Sequence, residues 1–348
     1  MNSSMKSLSI VIPSFNSENY IQQCLDSLLI GRDDELDVIV VNDGSTDRTS
    51  KIAHEFADKH PFVRVVDKEN AGHGSGINVG IKLAKGLYFK ILDSDDLLDK
   101  EGLIHLLDVI KVQNDKGNNP DLYLADYGSF YEEDDNVPQA VISFKRHVKK
   151  IEDVVTWEEL PRVGISDFFM IHMTYVRTAL LKEINIPLLE KTFYEDNQYL
   201  FYVIKNTKTL YYLDKGIYKY TVGRKGQSIS IENMAKKYDH QYRVKKAIID
   251  HINIDEYNAM NKPLKWHIRH ELFKMSVLVY FYTYIGKGKE RHLQYKDLYK
   301  YFKESNPEMY RIWKHHSPSW LLWLQIPCIR HLMTIIGYKV FAKRKGWK

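Results

Sequence analysis

The chain has 348 residues, 44% of them hydrophobic, enough for a sizeable core and too apolar for global disorder. The net charge of +5 is unevenly placed: residues 1–230 hold 27 Lys+Arg against 35 Asp+Glu, and residues 231–348 hold 23 against 10. An acidic front and a basic rear suit different partners, and the rear fits an anionic membrane surface as well as it fits nucleic acid. Two cysteines, Cys24 and Cys328, exclude a disulfide framework and fit a reducing compartment. The apolar run at 8–12 is too short for a secretory h-region and meets Pro13 and Asn16, so no signal peptide is expected.

Residues 8–12 read as a first strand, and the apolar spacing of Tyr20, Ile21, Cys24, Leu25 and Leu28 predicts a helix over 19–29. A strand at 38–41, a helix over 46–59 and a strand at 63–66 follow. A glycine-rich segment from Asn70 opens a helix to about Lys85, and 88–92 is a fourth strand. This alternation predicts an α/β fold, a mostly parallel sheet with helices on both faces. Then come a helix over 103–113 and two strands, 121–131 and 139–144, around the acidic turn 132–135. Helices and short strands mix from 151 to 220. Beyond 231 only helices are expected, which sets the domains at 1–230 and 231–348.

Two acidic signatures follow buried-strand patterns: Val-Val-Asn-Asp-Gly-Ser-Thr-Asp at 40–47 and Ile-Leu-Asp-Ser-Asp-Asp at 91–96. Carboxylates at the C-terminal ends of strands in an open α/β sheet face a ligand crevice. Paired Asp residues there suit a hard divalent cation, which takes oxygen ligands and bridges to phosphate. Each signature alone also fits a turn followed by a helix cap, or a solvated loop. Their joint occurrence in this order after β-like runs points to a metal-bound nucleotide diphosphate. The segment Gly72-His-Gly-Ser-Gly-Ile is not a dinucleotide fingerprint, because no ribose-binding acid follows at a strand end.

With Ile10-Val-Ile-Pro-Ser-Phe-Asn16 and Glu18, Asn42-Asp-Gly-Ser-Thr-Asp47, Asn70-x-Gly72, Asn78-x-Gly80, Asp93-Ser-Asp95-Asp96 and Glu195-Asp196, residues 6–230 resemble a family 2 glycosyltransferase of the GT-A fold. The resemblance implies that Pro13, Asn16 and Glu18 frame the nucleoside, and that Asp43 reads the uracil edge. Asn70, Gly72, Asn78 and Ser94 belong to the donor site. It places Asp93 by the ribose and on the metal, Mn2+ or Mg2+, with Asp95 as the main metal ligand. Asp196 is then the general base, supported by Glu195, and Arg224, Lys225 and Ser228 close over the pyrophosphate. One departure stands out: Gly76-Ile77 replaces the Ala-Arg common before Asn-x-Gly, so a basic contact is missing there, and His73 is either its substitute or an exposed loop histidine. His172 faces the acceptor or is a core residue.

The resemblance implies an inverting transferase that moves a hexose or N-acetylhexosamine from a UDP-sugar to a glycan or lipid-linked acceptor in bacterial surface polysaccharide synthesis. It implies a cytoplasmic protein, peripheral at the inner membrane face, with no nucleic-acid partner; the oligomeric state is open. Two alternatives are an NDP-sugar nucleotidyltransferase and a non-catalytic sugar-nucleotide scaffold. The first normally carries a Gly-rich basic loop after strand one, where this chain has Pro13-Ser-Phe-Asn16, and intact acidic pairs argue against the second. The tail, 319–348, combines Trp and apolar residues with a basic end, as an interfacial helix does, or as a helix packed on the protein itself does.

Overall fold

A computed structural model describes residues 6–131, 138–160, 168–185, 187–222, 231–285 and 289–316. The acidic turn at 132–135, the 224–228 loop and the tail from 319 lie outside the described residues. The chain divides into two compact units: residues 1–160, 169–191 and 206–222 form the first, and residues 161–168, 192–205 and 223–348 the second.

In chain order the elements are β1 (Leu8–Ser14), α1 (Ile21–Asp26), β2 (Leu36–Asp43), α2 (Thr49–Ala57), β3 (Val63–Lys68), α3 (His73–Leu83), β4 (Tyr88–Ile91), β5 (Leu97–Leu98), α4 (Lys100–Asp115), β6 (Leu122–Tyr131), β7 (Ala140–Ile142), β8 (Val154–Thr156), β9 (Thr174–Arg177), α5 (Thr178–Ile184), α6 (Asp196–Asn206) and β10 (Thr209–Val222). Among the described residues these are followed by α7 (Ile231–Lys236), α8 (Tyr238–Asp250), α9 (Ile254–Ala259), α10 (Lys262–Ile285), α11 (Lys289–Ser305) and α12 (Pro307–Lys314).

One sheet organises the first unit in the order β3-β2-β1-β4-β9-β6-β10-β5. Its first four strands run parallel, with Val11 opposite both Ile39 and Ile91. Every residue of β1 and β2 is buried, which explains their continuous apolar runs: helices cover both faces of a parallel sheet. Strand β9 enters antiparallel between β4 and β6, so the sheet is mixed beyond β4. The chain leaves β1 for β2 on one side and returns to β4 on the other. The C-terminal ends of β1 and β4 therefore mark the switch point where such sheets bind ligands.

Strand β10 is longer than any read from the sequence, because its register against β6 slips between Leu213 and Gly216 and again between Gly216 and Tyr218. Asp214-Lys215-Gly216 looks like a turn in sequence and is a bulge in the fold. Two buried acids tie distant segments. Asp37 receives Arg64 and the Lys85 amide, and Asp121 receives Arg177 and the amides of Lys208 and Thr209.

The second unit is helical. Residues 192–205, which lie in sequence between β9 and β10, belong to it. Its helices start on readable signals: Asn253 and Asn306 cap α9 and α12 through their side chains, and Pro307 opens α12. Trp313 is fully buried against Tyr299, Phe302 and Tyr310. Among the described residues, no helix is long and apolar enough to cross a membrane.

Gly86 leads into β4 and has its amide on Ser9 Oγ at 2.8 Å. A methyl group there would lie 2.3 Å from the Ser9 nitrogen and 2.6 Å from the Leu8 carbonyl carbon, both backbone atoms inside the central strand. Gly86→Ala is therefore expected to cost about 1–3 kcal/mol, as overpacking does. Urea unfolding of the variant beside wild type measures it; an unchanged midpoint would show that β1 yields freely.

Candidate active site

The loops after β1 and β2 are stitched together by short side chains. Asn16, held at φ 50°, gives its amide to Ser45 and accepts the Thr46 amide at 2.9 Å. The Ser17 amide donates to Thr49 Oγ1, the Glu18 amide to Asp47 and the Arg48 amide to Glu18. Burial would raise the Asp47 carboxyl, but bonds from the Thr49 hydroxyl and amide and the Glu18 amide hold it below the ordinary range. Asn16 and Glu18 thus brace the loop, and Pro13 lies under α3, with its Cβ 3.0 Å from where a Gly76 side chain would begin.

Asp43 ends β2 and is 3% exposed. It accepts Lys68 Nζ at 2.6 Å and the amides of Ala71 and Gly72 at 2.9 and 2.7 Å. These bonds hold the start of α3 in a tight turn, which Gly72 permits with φ 90°. Asn70 adjoins this turn and is exposed. The Asn78 side chain exchanges two hydrogen bonds with the Leu188 backbone, pinning that segment to α3. Ile77, where the sequence lacks the basic residue, is fully buried. Instead His73, one turn earlier, places Nε2 3.0 Å from Asp93 Oδ1.

The acids after β4 divide by depth. Asp93 and Asp95 are half-buried, whereas Asp96 is fully buried and accepts the Tyr218 hydroxyl at 2.7 Å and the Thr221 amide at 2.8 Å. Ser94 shares a 2.7 Å hydrogen bond with Ser17, joining this turn to the β1 loop. Burial would raise the Asp93 carboxyl, but the His73 hydrogen bond and the charges of His73, His172 and Lys90 hold it low. Burial, with the charges of Asp95 and Asp93, pushes Asp96 well above the carboxylate range, against its two hydrogen bonds.

Three groups that the motifs do not name complete the setting. Lys90, fully buried on β4, donates to the carbonyls of Ile171 at 2.9 Å, His172 at 2.6 Å and Thr174 at 3.4 Å. Its ammonium lies 4.5 Å from the Tyr175 ring centre and 4.7 Å from that of Tyr218. Burial pushes the Lys90 pKa well down, with Asp93 and Asp96 opposing, and three carbonyl acceptors match the three donors of the charged form. His172, 6% exposed, stacks on Tyr220 with ring centres 4.6 Å apart and packs against Tyr127 and Tyr218. Donor atoms of Asp93, Asp96 and His172 lie within 4.8 Å of one another, a set whose chemistry fits a divalent cation. A charge inside an apolar run is the one sequence signal for Lys90; the tyrosines of β10 carry none.

Glu195 and Asp196 belong to the second unit. Glu195 is 2% exposed, and Asp196 opens α6, accepting the amide and side-chain nitrogen of Asn197, both at 2.9 Å. Tyr194, just before them, has φ 70°, a left-handed backbone that costs a bulky residue. The Phe193 amide donates to His240 Nδ1 at 2.8 Å, and Lys237 Nζ lies 3.8 Å from the centre of the exposed Phe193 ring. Arg224, Lys225 and Ser228 lie outside the described residues.

Tyr218→Phe removes a hydroxyl that donates to Asp96 and accepts the Asp93 amide at 3.2 Å. Loss of this buried pairing is expected to lower the unfolding free energy by about 1–3 kcal/mol in denaturant titration. No change would mean that Asp96 is satisfied without it.

The model for glycosyl transferase family 2 matches residues 9–178. The chondroitin synthase of Pasteurella multocida (strain Pm70) is 42% identical over 96 residues, which is 28% of this chain and 10% of that protein. The fold is similar to S. aureus TarS 1–349 in complex with UDP-GlcNAc, with a TM-score of 0.66 at 23% identity, covering 98% of this chain and 92% of that one. It is also similar to the mannosyltransferase PcManGT of Pyrobaculum calidifontis in complex with GDP-Man and Mn2+, with a TM-score of 0.51 at 14% identity over 96% and 88% of the two chains. The strand order, the carboxylates at the strand ends and the family match agree: residues 9–178 match glycosyl transferase family 2, and the fold is that of the GT-A glycosyltransferases.

Proposed function

We propose that the protein transfers a hexose or N-acetylhexosamine, with inversion, from a UDP-sugar to a hydroxyl of a glycan or lipid-linked acceptor in surface polysaccharide synthesis. The observation that carries this reading is the acid cluster after β4 at the switch point of a family 2 sheet, with His73 on Asp93 and Ser17 on Ser94. The UDP-GlcNAc bound by TarS and the chondroitin synthase relative support the donor and product classes.

In this reading Asp43 faces the uracil while holding the Gly72 turn, and Asn70, Gly72 and Ser94 line the donor site. Asp93 and Asp95 hold Mn2+ or Mg2+. A bound cation would neutralise the charge that develops on the leaving diphosphate. Asp196 takes the proton of the acceptor hydroxyl as it attacks, and buried Glu195 fixes the start of α6. Arg224, Lys225 and Ser228 share the pyrophosphate charge.

UDP release should appear with one of a panel of UDP-sugars in Mn2+ or Mg2+. Asp95→Ala should lose nearly all of it, together with cation-dependent UDP binding. Full activity in chelator, or in the variant, refutes the cation assignment. Asp196→Asn keeps size and removes the proton acceptor, so turnover should fall about 10²–10⁴-fold while calorimetric UDP affinity holds. A matching loss of UDP affinity would move Asp196 out of the base role.

The tail at 319–348 is proposed to bind an anionic membrane surface. The full chain should sediment with anionic liposomes at low salt, and a chain ending at Pro318 should stay in the supernatant while still hydrolysing donor. Equal behaviour of the two would make the tail part of the protein's own packing.

A further inference from the structure

His172 lies in none of the acidic signatures, yet the fold carries it to them. The backbone at 171–174 is clamped by the Lys90 ammonium through three carbonyls, one of them that of His172 itself. The imidazole is then fixed by rings on three sides: Tyr220 stacked at 23°, with Tyr218 and Tyr127 tilted. A ring so held has little freedom to turn. Its position puts a nitrogen within 4.8 Å of a carboxylate oxygen of Asp93 and of Asp96, the spread of atoms around a single ion. A histidine that served only to fill the core would not require two carboxylates of an acid turn at its edge.

We propose that His172 is a ligand of the donor-site cation, giving it one nitrogen donor beside the oxygens of Asp93 and the neighbouring acids. The inference rests on the cation reading given above and sharpens it. An imidazole in the shell favours a transition-metal ion over Mg2+, which is bound through oxygen. The site should therefore prefer Mn2+, and that preference should depend on residue 172. His73 is a competing source of nitrogen, since its Nε2 already meets Asp93.

The test is pulsed EPR of Mn2+ bound to the full chain in the presence of UDP, read for coupling to nitrogen. Wild type should show a 14N coupling that changes to a 15N pattern when the protein is made with 15N-histidine, a measurement that needs no variant. His172→Phe keeps a ring between the tyrosines; it should abolish the histidine coupling and weaken Mn2+ binding about tenfold or more, on the scale of lost ligand support. Mg2+ binding should change less. His73→Gln should keep the coupling. Bound Mn2+ with no histidine nitrogen, or a coupling that survives His172→Phe or vanishes in His73→Gln, overturns the role of His172 and leaves the cation reading intact. No Mn2+ bound in the presence of UDP overturns the cation reading and this inference with it.

Discussion

A buried ammonium organises the acidic end of the sheet. Moving a lysine out of water costs several kcal/mol unless its charge is met by well-placed partners. Lys90 meets three carbonyls, two aromatic faces and the field of two acids. The same bonds moor residues 171–174 to β4, just where β9 enters antiparallel between β4 and β6. The mooring thus holds the segment that carries His172 beside the strand that leads into the acids. Stability and site geometry therefore share one group.

The acids around it are not equivalent. Asp93 is drawn toward its ionised form by His73 and the nearby cations, whereas burial and its neighbours' charges drive Asp96 toward its neutral form. Pushing the two apart lets several carboxyl groups crowd one turn without full mutual repulsion. The Asp43 clasp on the Gly72 turn plays a different part: it spends its oxygens on backbone amides and Lys68, and so sets how closely the chain approaches whatever the crevice holds.

Much of this was legible in the sequence, for identifiable reasons. Strands β1, β2 and β4 are buried along their whole length and read as apolar runs, and the half-buried edge strand β3 starts on one; the helices between them repeat at helical spacing. The acids at 43, 93 and 95 follow those runs directly. What escaped depends on contacts between distant residues. Lys90 and Tyr218 are 128 positions apart, and no local pattern links Tyr218 to Asp96. Strand β10 was hidden by Asp214-Lys215-Gly216, whose residues favour turns. The sequence leaves His172 open between a core residue and an acceptor contact; the structure buries it at the acids. His73, open between a contact and a loop residue, is brought to Asp93, while the position next to Gly76 is filled by buried Ile77.

The bulge in β10 has a consequence for how such a site can change. Paired residues of parallel strands share a face, and β10 takes five steps from Leu213 to Tyr218 while β6 takes two, from Ala125 to Tyr127. The parity of the strand is thereby inverted: the face that carries odd-numbered residues ahead of the bulge carries even-numbered ones after it. Tyr211 meets Tyr123 on that face, and Tyr218 and Tyr220 continue it beside Tyr127 and His172. If the bulge keeps its five steps, losing one residue from it brings Lys219 and Thr221 into the places of the two tyrosines and leaves the first half of the strand as it is. A single-codon deletion there amounts to a frame shift in space, exchanging an aromatic lining for a cationic and a hydroxyl-bearing one while the first half of the strand keeps its register.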